Sequence, residues 1–381
     1  MYSREFRLLL YCIKSPPDAG SIRHLIDEGL CWQTVLELAQ QHAVRPLLYR
    51  ALKFSMLWDA VPEPTQLELE RLNRINVQKN LFLAGELLRL VKSFRHNGVA
   101  VAAFKGPVLA TSIYGDLSLR EFCDLDVIVQ EVDVGRAEEI VTASGYQAEF
   151  PDRDFRSVFL SYHGQYAFRH IETGHWLDLH WRLAGKATAF PLQAAEVWPK
   201  LKEVTIAGRT VPTFADDDLA LFLAAHGTKD GWKRLLWVSD FAQVLQNCQT
   251  IDWSKVLDRA NRSHCSRSLL LAVALASSLL DASAPVELLN KAKKNPAVRS
   301  LTEKIKLTIL NFAEQGELRE FLNSLNTRDQ LRHRLWPVAS LLTTRTVGDH
   351  KAMPLPKPLW GIYYLTRPFR LAQKAVDTIF S

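Results

Sequence analysis

The sequence predicts an α+β fold, a small mixed sheet with its helices, flanked by helical regions on the N- and C-terminal sides. Three observations carry this reading. Apolar residues recur at helical spacing through the first hundred residues, short strand signals then cluster over the next ninety, and helical spacing returns after Lys186. The expected organisation is an N-terminal helical region at 1–97, an α/β core at 98–185 and a C-terminal helical region at 186–381.

The opening MYSREFRLLLYCIKSPPD holds a short apolar run between charges, with no small-residue cleavage site after it, and reads as a helix rather than a secretion signal. RHLIDEGLCWQTVLELAQQHAV continues at helical spacing. PEPTQLELERLNRINVQKNLFLAGELLRLVKSFRHNG gives one long amphipathic pattern, opened by Pro62 and Pro64 and closed at Asn97-Gly98. The rhythm then changes. VAVAAF (99–104) is a short buried-strand signal, followed by Lys105-Gly106-Pro107 and a helix-like VLATSIYG. CDLDVIVQ alternates as a strand, and VDVGRAEEIVTASGY is a helix closed by Gly145. GQYAFRHI and HWLDLHWRL are strands separated by the turn Glu172-Thr173-Gly174. Beyond Lys186, VTIAGRTVPTF suggests a small hairpin and DDDLALFLAAHGTKDGWKRLLWVSDFAQVLQ two helices. IDWSKVLDRANR starts another helix, with Asp252 as its N-cap.

Composition narrows the function. With 381 residues, 48% hydrophobic and 23% charged, the chain can bury a sizeable core and is neither disordered nor fibrous. A net charge of +6 is too small for this length to call for nucleic acid by itself. The charge is uneven: Lys291 to Ser381 holds 16 Lys and Arg against 7 Asp and Glu. The five cysteines (Cys12, Cys31, Cys123, Cys248, Cys265) are scattered and form no C-x-x-C pair, which suits a reducing cytoplasm. The longest uncharged apolar stretch, Ser268 to Leu280, is 13 residues long and too short to span a bilayer.

The chemistry concentrates in FKGPVLATSIYGDLSLREFCDLDVIVQ and, about fifty residues later, HWLDLHW. On a strand, Asp124, Asp126 and Ile128 share one face and Leu125, Val127 and Val129 the other. The same alternation puts Trp176, Asp178 and His180 on one face of the later strand. Pairing the two strands would bring three carboxylates to one spot, where they repel unless cations neutralise them. Hard oxygen ligands suit Mg²⁺, and two such ions about 4 Å apart can serve an in-line displacement at phosphorus. Gly106, between strand and helix, permits close approach of backbone to a phosphate.

A glycine turn after a strand, D-x-D on the next strand and a third acid in an h-D-h strand resemble the polymerase-β-like nucleotidyltransferase superfamily. More narrowly, K-G-x-x-L, an Arg four residues before D-L-D, D-L-H-W and a later H-G-x-K-x-G-W-x-x-L resemble a large, mostly uncharacterised bacterial nucleotidyltransferase family, as do L-A-Q-Q-H and R-P-x-R-L. The resemblance implies a polymerase-β-like core. It makes Asp124 and Asp126 metal ligands, and Asp178 the third acid, which binds a second metal and helps deprotonate an acceptor hydroxyl. It sets Gly106 against the triphosphate, with Lys105 and Arg120 as the nearest cations. The implied cofactor is Mg²⁺, with Mn²⁺ as its substitute; the implied substrates are an NTP, ATP first, and an acceptor that is a small molecule, peptide or protein. Pro107 departs from the superfamily's usual Gly-Gly or Gly-Ser turn, since it offers a phosphate neither N–H nor hydroxyl, yet it suits a first helical turn.

Several residues stand between two readings. Lys105 is a phosphate cation or a surface lysine beside a turn, and Arg120 a phosphate cation or the partner of Asp124 or Asp116. His180 orients Asp178 or an acceptor, or is a packed core histidine. His226, Lys229 and Trp232 close the pocket from the helical side or form a helix junction. Asp216, Asp217 and Asp218 read as helix-start acids rather than a metal cluster. The histidines lack H-E-x-x-H or a Cys partner spacing, which argues against zinc, and no G-x-x-x-x-G-K-[ST], G-x-G-x-x-G or G-x-S-x-G is present. No basic groove with interleaved aromatics flanks the acids, so long nucleic acid is not an expected partner. The basic, aromatic C-terminal segment around Lys357, Arg367, Arg370 and Lys374 is a docked terminal helix or a weak contact for a membrane surface or protein. The rival to an enzyme is a catalytically silent binding module of the same fold acting through that segment.

Overall fold

The computed structural model describes residues 2–149, 163–184, 190, 192–311, 329 and 347–380. Four short helices open the chain: α1 (Arg4–Ile13), α2 (Ala19–Asp27), α3 (Trp32–Gln41) and α4 (Arg45–Phe54). The long amphipathic pattern is a single helix, α5 (Glu63–His96), begun after Pro62 and ended at Asn97, with Gly98 in the left-handed region (φ +66°). Along its second half Leu83, Leu87, Leu90, Val91 and Phe94 form one buried stripe against the sheet. Its middle buries two amides, Asn76 and Asn80, which hold the loop before strand β2.

The α/β core follows as β1 (Val101–Ala103), α6 (Gly106–Tyr114), β2 (Asp124–Val129), α7 (Val134–Ala143), β3 (Tyr146–Ala148), β4 (Gln165–His170) and β5 (Trp176–His180). Five strands make one mixed sheet in the order β1-β2-β5-β4-β3. β2 and β5 run parallel; the other pairs are antiparallel. The fold is therefore the α+β arrangement expected. The three-residue strand β3 was not expected, because three residues are too few to display alternation.

A two-stranded hairpin, β6 (Lys202–Ile206) with β7 (Arg209–Thr213), leads into α8 (Asp216–Lys229), α9 (Leu235–Asn247), α10 (Trp253–Arg262) and α11 (Ser266–Leu280). Helices α12 (Val286–Lys294) and α13 (Pro296–Asn311) follow. Asp252 caps α10 through Lys255 N, as its sequence position predicts. Two apolar cores result. One joins α1–α4 to α8–α13, and the other packs α5 and α7 against the sheet. Linear order therefore does not govern packing: the N-terminal helices share a core with the helices that follow the sheet.

The C-terminal helix α14 (Tyr363–Phe380) folds back on its own approach segment through Trp360 and Tyr363. Arg367 and Arg370 both pair with Asp349. Two of the basic residues noted in the sequence are thus spent on an internal carboxylate, while the side chains of Lys357 and Lys374 lie outside those described. Among the described residues, no helix is long and apolar enough to cross a membrane.

Candidate active site

The site begins at the turn between β1 and α6. Gly106 has φ +53°, and a Cβ there would stand 3.3 Å from the Asp124 carbonyl oxygen. Both facts require glycine: the conformation is costly for other residues, and the turn is pressed against the first residue of β2. Pro107 occupies the first turn of α6, where its missing N–H costs nothing.

Register does the rest. β2 and β5 set Asp126 opposite Asp178 and Ile128 opposite His180. One oxygen each from Asp126 and Asp178 and one ring nitrogen of His180 lie within 4.8 Å of one another, the arrangement of a group that could hold a metal ion. The donor set fits a cation, since the buried Asp126 Oδ2 accepts no hydrogen bond and His180 Nδ1 has no partner. The other Asp126 oxygen is occupied: Lys105 Nζ donates to Oδ1 at 2.9 Å, and His180 Nε2 lies 3.1 Å from it. Gln165 donates to Asp178 Oδ2 at 2.8 Å, a contact that a polar residue in an alternating strand gives no sign of.

These contacts divide the acids electrostatically. Burial works against ionisation of Asp126, but Lys105 and His180 outweigh it and hold the carboxyl well below the usual range. Asp124, on the same strand face, is pushed up to about 6, first by burial and then by the Asp126 charge. Burial raises Asp178 as well. For Lys105, burial opposes the charge and Asp126 restores it, so its pKa lies above the ordinary lysine value. Its ammonium sits 5.6 Å and 5.8 Å from the ring centres of Phe104 and Phe222.

Of the residues singled out in the sequence, Asp126, Asp178, His180, Lys105 and Gly106 meet here. Asp124 stands beside them, outside the three-residue group, and His180 takes the third position. Arg120 requires a correction. It makes no ion pair with Asp124 or Asp116, although its charge acts on Asp124. Its buried guanidinium makes two 2.9 Å bonds to Asp240 on α9, which also accepts from Tyr114 Oη at 2.7 Å. Asp116 instead accepts from Ser118 N. Sequence proximity to D-L-D suggested a phosphate cation, but the partner lies 120 residues away.

The helical side of the site comes from α8. His226 is half-buried, stacks on Phe222 at 5.5 Å and pairs with Asp230 at 3.2 Å. Burial, then Lys105 and Lys229, keep its pKa well below the ordinary value. Lys229 is half-exposed, and its charge acts on Asp178. Trp232, fully buried, lies against Gly227, where a Cβ would come within 2.7 Å of the indole. The H-G-x-K-x-G-W run is thus a packed helix junction. Asp216 pairs with Lys202, and the buried Asp218 with Arg259, so these acids are structural. The N-cap of α8 is Ala215, and the three acids occupy the first turn.

No curated protein matches the chain. Among solved structures, the antibiotic-resistance factor ANT(2'')-Ia is 16% identical over 48% of this chain and 93% of its own, with a TM-score of 0.35. The lincosamide antibiotic adenylyltransferase LnuA, solved with lincomycin, is 20% identical over 36% of this chain and 84% of its own, with a TM-score of 0.27. The family described as uncharacterised nucleotidyltransferases matches residues 28–281, two thirds of the chain and every element of the site, and the protein belongs to that nucleotidyltransferase family.

Proposed function

We propose that the protein transfers a nucleoside monophosphate from an NTP, ATP first, to an acceptor hydroxyl on a small molecule, peptide or protein. The observation that carries this is the pairing of Asp126 with Asp178 at one register position, beside His180 and the Gly106 turn, with a buried carboxylate oxygen left without a partner. Asp126, Asp178 and His180 would hold Mg²⁺ or Mn²⁺, with Asp124 completing the set once deprotonated. Such an ion, when bound, neutralises the triphosphate and favours displacement at the α-phosphorus.

The chain's own residues supply the rest. Gly106 brings the start of α6 close to the phosphates, and Lys105, released from Asp126, turns to them. Asp178, whose pKa is raised, accepts the acceptor's proton. The acceptor oxygen then bonds to the α-phosphorus as the bond to the bridging oxygen breaks, and pyrophosphate leaves with that electron pair. In this reading the core at 98–185 provides the chemistry, and the flanking helices, including His226 and Lys229, shape the acceptor side.

Calorimetric titration of each NTP with Mg²⁺, on the native protein and on Asp126→Asn/Asp178→Asn, tests this. Binding that needs both metal and acids is expected. Native protein that binds no NTP at millimolar concentration would overturn the reading.

A further inference from the structure

A cleft of about 590 Å³ opens past the carboxyl ends of the parallel strands β2 and β5. Gln130, Glu131 and Arg182 line it at the strand ends, and Phe190, Leu192 and Trp198 line it from the chain that leads to β6. Sites that enclose a whole small molecule run to roughly 300–1,000 Å³.

Chain path and ring contacts both set this cleft against the candidate metal group. Arg182 follows His180 by two residues, and Gln130 follows Ile128, the register partner of His180, by two. At the rise of a strand, Arg182 is about 13 Å along the chain from Asp178. The rings of Phe190 and Phe222 are centred 5.9 Å apart, those of Phe222 and Phe104 5.0 Å, and those of Phe104 and His180 5.0 Å. Lys105 Nζ lies 5.8 Å from the Phe222 ring centre. One unbroken row of rings thus runs from His180, in the group with Asp126 and Asp178, to the lining of the cleft.

The lining sets the chemistry of an occupant. Leu192 is buried in the large apolar core, and Phe190 and Trp198 pack against that core, so the apolar side is firmly held. The two ionic residues satisfy each other: Arg182 Nε donates to Glu131 Oε2 at 3.2 Å. The described lining therefore carries no net charge. Two exposed amides, Gln130 and Gln193, add donors and acceptors suited to hydroxyl groups.

Resting on the nucleotidyl-transfer reading, we propose that this cleft seats the acceptor, and that the acceptor is an uncharged small molecule with a flat or apolar body and a hydroxyl that reaches past His180 to Asp178. That hydroxyl oxygen bonds to the α-phosphorus, its proton passes to Asp178, and pyrophosphate leaves with the electron pair of the broken bond. Of the three acceptor classes, a small molecule is the one that a cleft of this size encloses.

The first test uses 4-fluorophenyl β-D-glucoside, an uncharged ring bearing hydroxyls, as the probe in fluorine NMR. Full-length native protein is compared with Ala195→Trp and Ala184→Trp, which place an indole in the cleft, with unfolding curves and Mg·ATP calorimetry for each. Ala195 is exposed, so tryptophan there costs the fold little. The probe should bind the native protein at millimolar concentration and each variant about tenfold more weakly, with Mg·ATP affinity within about twofold of native. A probe that does not bind the native protein, or binds folded variants equally well, would overturn the assignment and leave nucleotidyl transfer standing.

The second test follows label from α-³²P-ATP and Mg²⁺ into the low-mass and macromolecular fractions of a cell extract. Labelled small molecules are expected with the native protein, and markedly fewer with Ala195→Trp. Label on macromolecules alone would overturn the small-molecule acceptor while confirming transfer. Label nowhere, or native protein that binds no NTP, would overturn both.

Discussion

Lys105 and Asp126 form a 2.9 Å ion pair in which the carboxylate is 1% exposed, so the lysine occupies the oxygen beside the one left free for a metal. In the proposed reading the pair acts as a placeholder, neutralising a buried acid until a metal cation takes over. Lys105→Met leaves Asp126 with His180 alone and should cost about 3 kcal/mol of stability in EDTA. Saturating Mg²⁺ should restore most of it. Mn²⁺ titration followed by electron paramagnetic resonance should show tighter metal binding without nucleotide, while turnover falls at least tenfold. Unchanged metal affinity would show that Lys105 does not compete for Asp126.

The site's pH response follows from Asp124. Its carboxyl is raised to about 6 from an ordinary 3.8, so folding favours the protonated form. The stability it contributes is fully present below about pH 4 and lost as pH rises through 6. Asp178 is shifted in the same direction, and Asp126, held low, stays ionised across this window. A rise of roughly two units corresponds to about 3 kcal/mol. Urea unfolding in EDTA should therefore show the native protein losing up to about that much between pH 4 and 7.5 relative to Asp124→Asn. Parallel pH profiles for the two proteins would contradict this account.

These features differ in how far the sequence reveals them. The faces of β2 and β5 are legible because strand alternation is local, and so is the Gly106 turn, whose neighbours announce a strand end and a helix start. Register is not local. That Asp126 meets Asp178, and that His180 rather than Asp124 completes the group, depends on how two strands fifty residues apart align. Arg120 shows the same limit from the other side. Its charge suggested the nearest acids, yet a buried guanidinium goes to whichever carboxylate the packing supplies, here Asp240 on a distant helix.

Arg120 and Asp240 are 8% and 1% exposed, so breaking their pair strands a buried charge. Arg120→Met should cost about 3–5 kcal/mol, and Arg120→Met/Asp240→Leu should recover a large part of it. At a temperature where the single variant stays folded, its NTP affinity should lie within about twofold of native. A large loss of NTP affinity with little change in melting temperature would instead return Arg120 to the phosphates.

Gly227 tests the helix junction. It lies inside α8, where alanine would ordinarily raise helix stability by up to about 1 kcal/mol. Here a Cβ would come within 2.7 Å of three atoms of the fully buried Trp232 ring. That ring cannot swing aside easily, because Trp232 sits at φ +53° and its indole N–H donates to Thr228 Oγ1 at 3.2 Å. Overpacking should therefore win, and Gly227→Ala should destabilise the protein by about 1–3 kcal/mol. The displaced indole should change the near-ultraviolet circular dichroism. Because Phe222 and His226 on the same helix border Lys105, NTP binding should weaken as well. A variant with native stability and an unaltered tryptophan spectrum would mean that the junction has room the geometry denies.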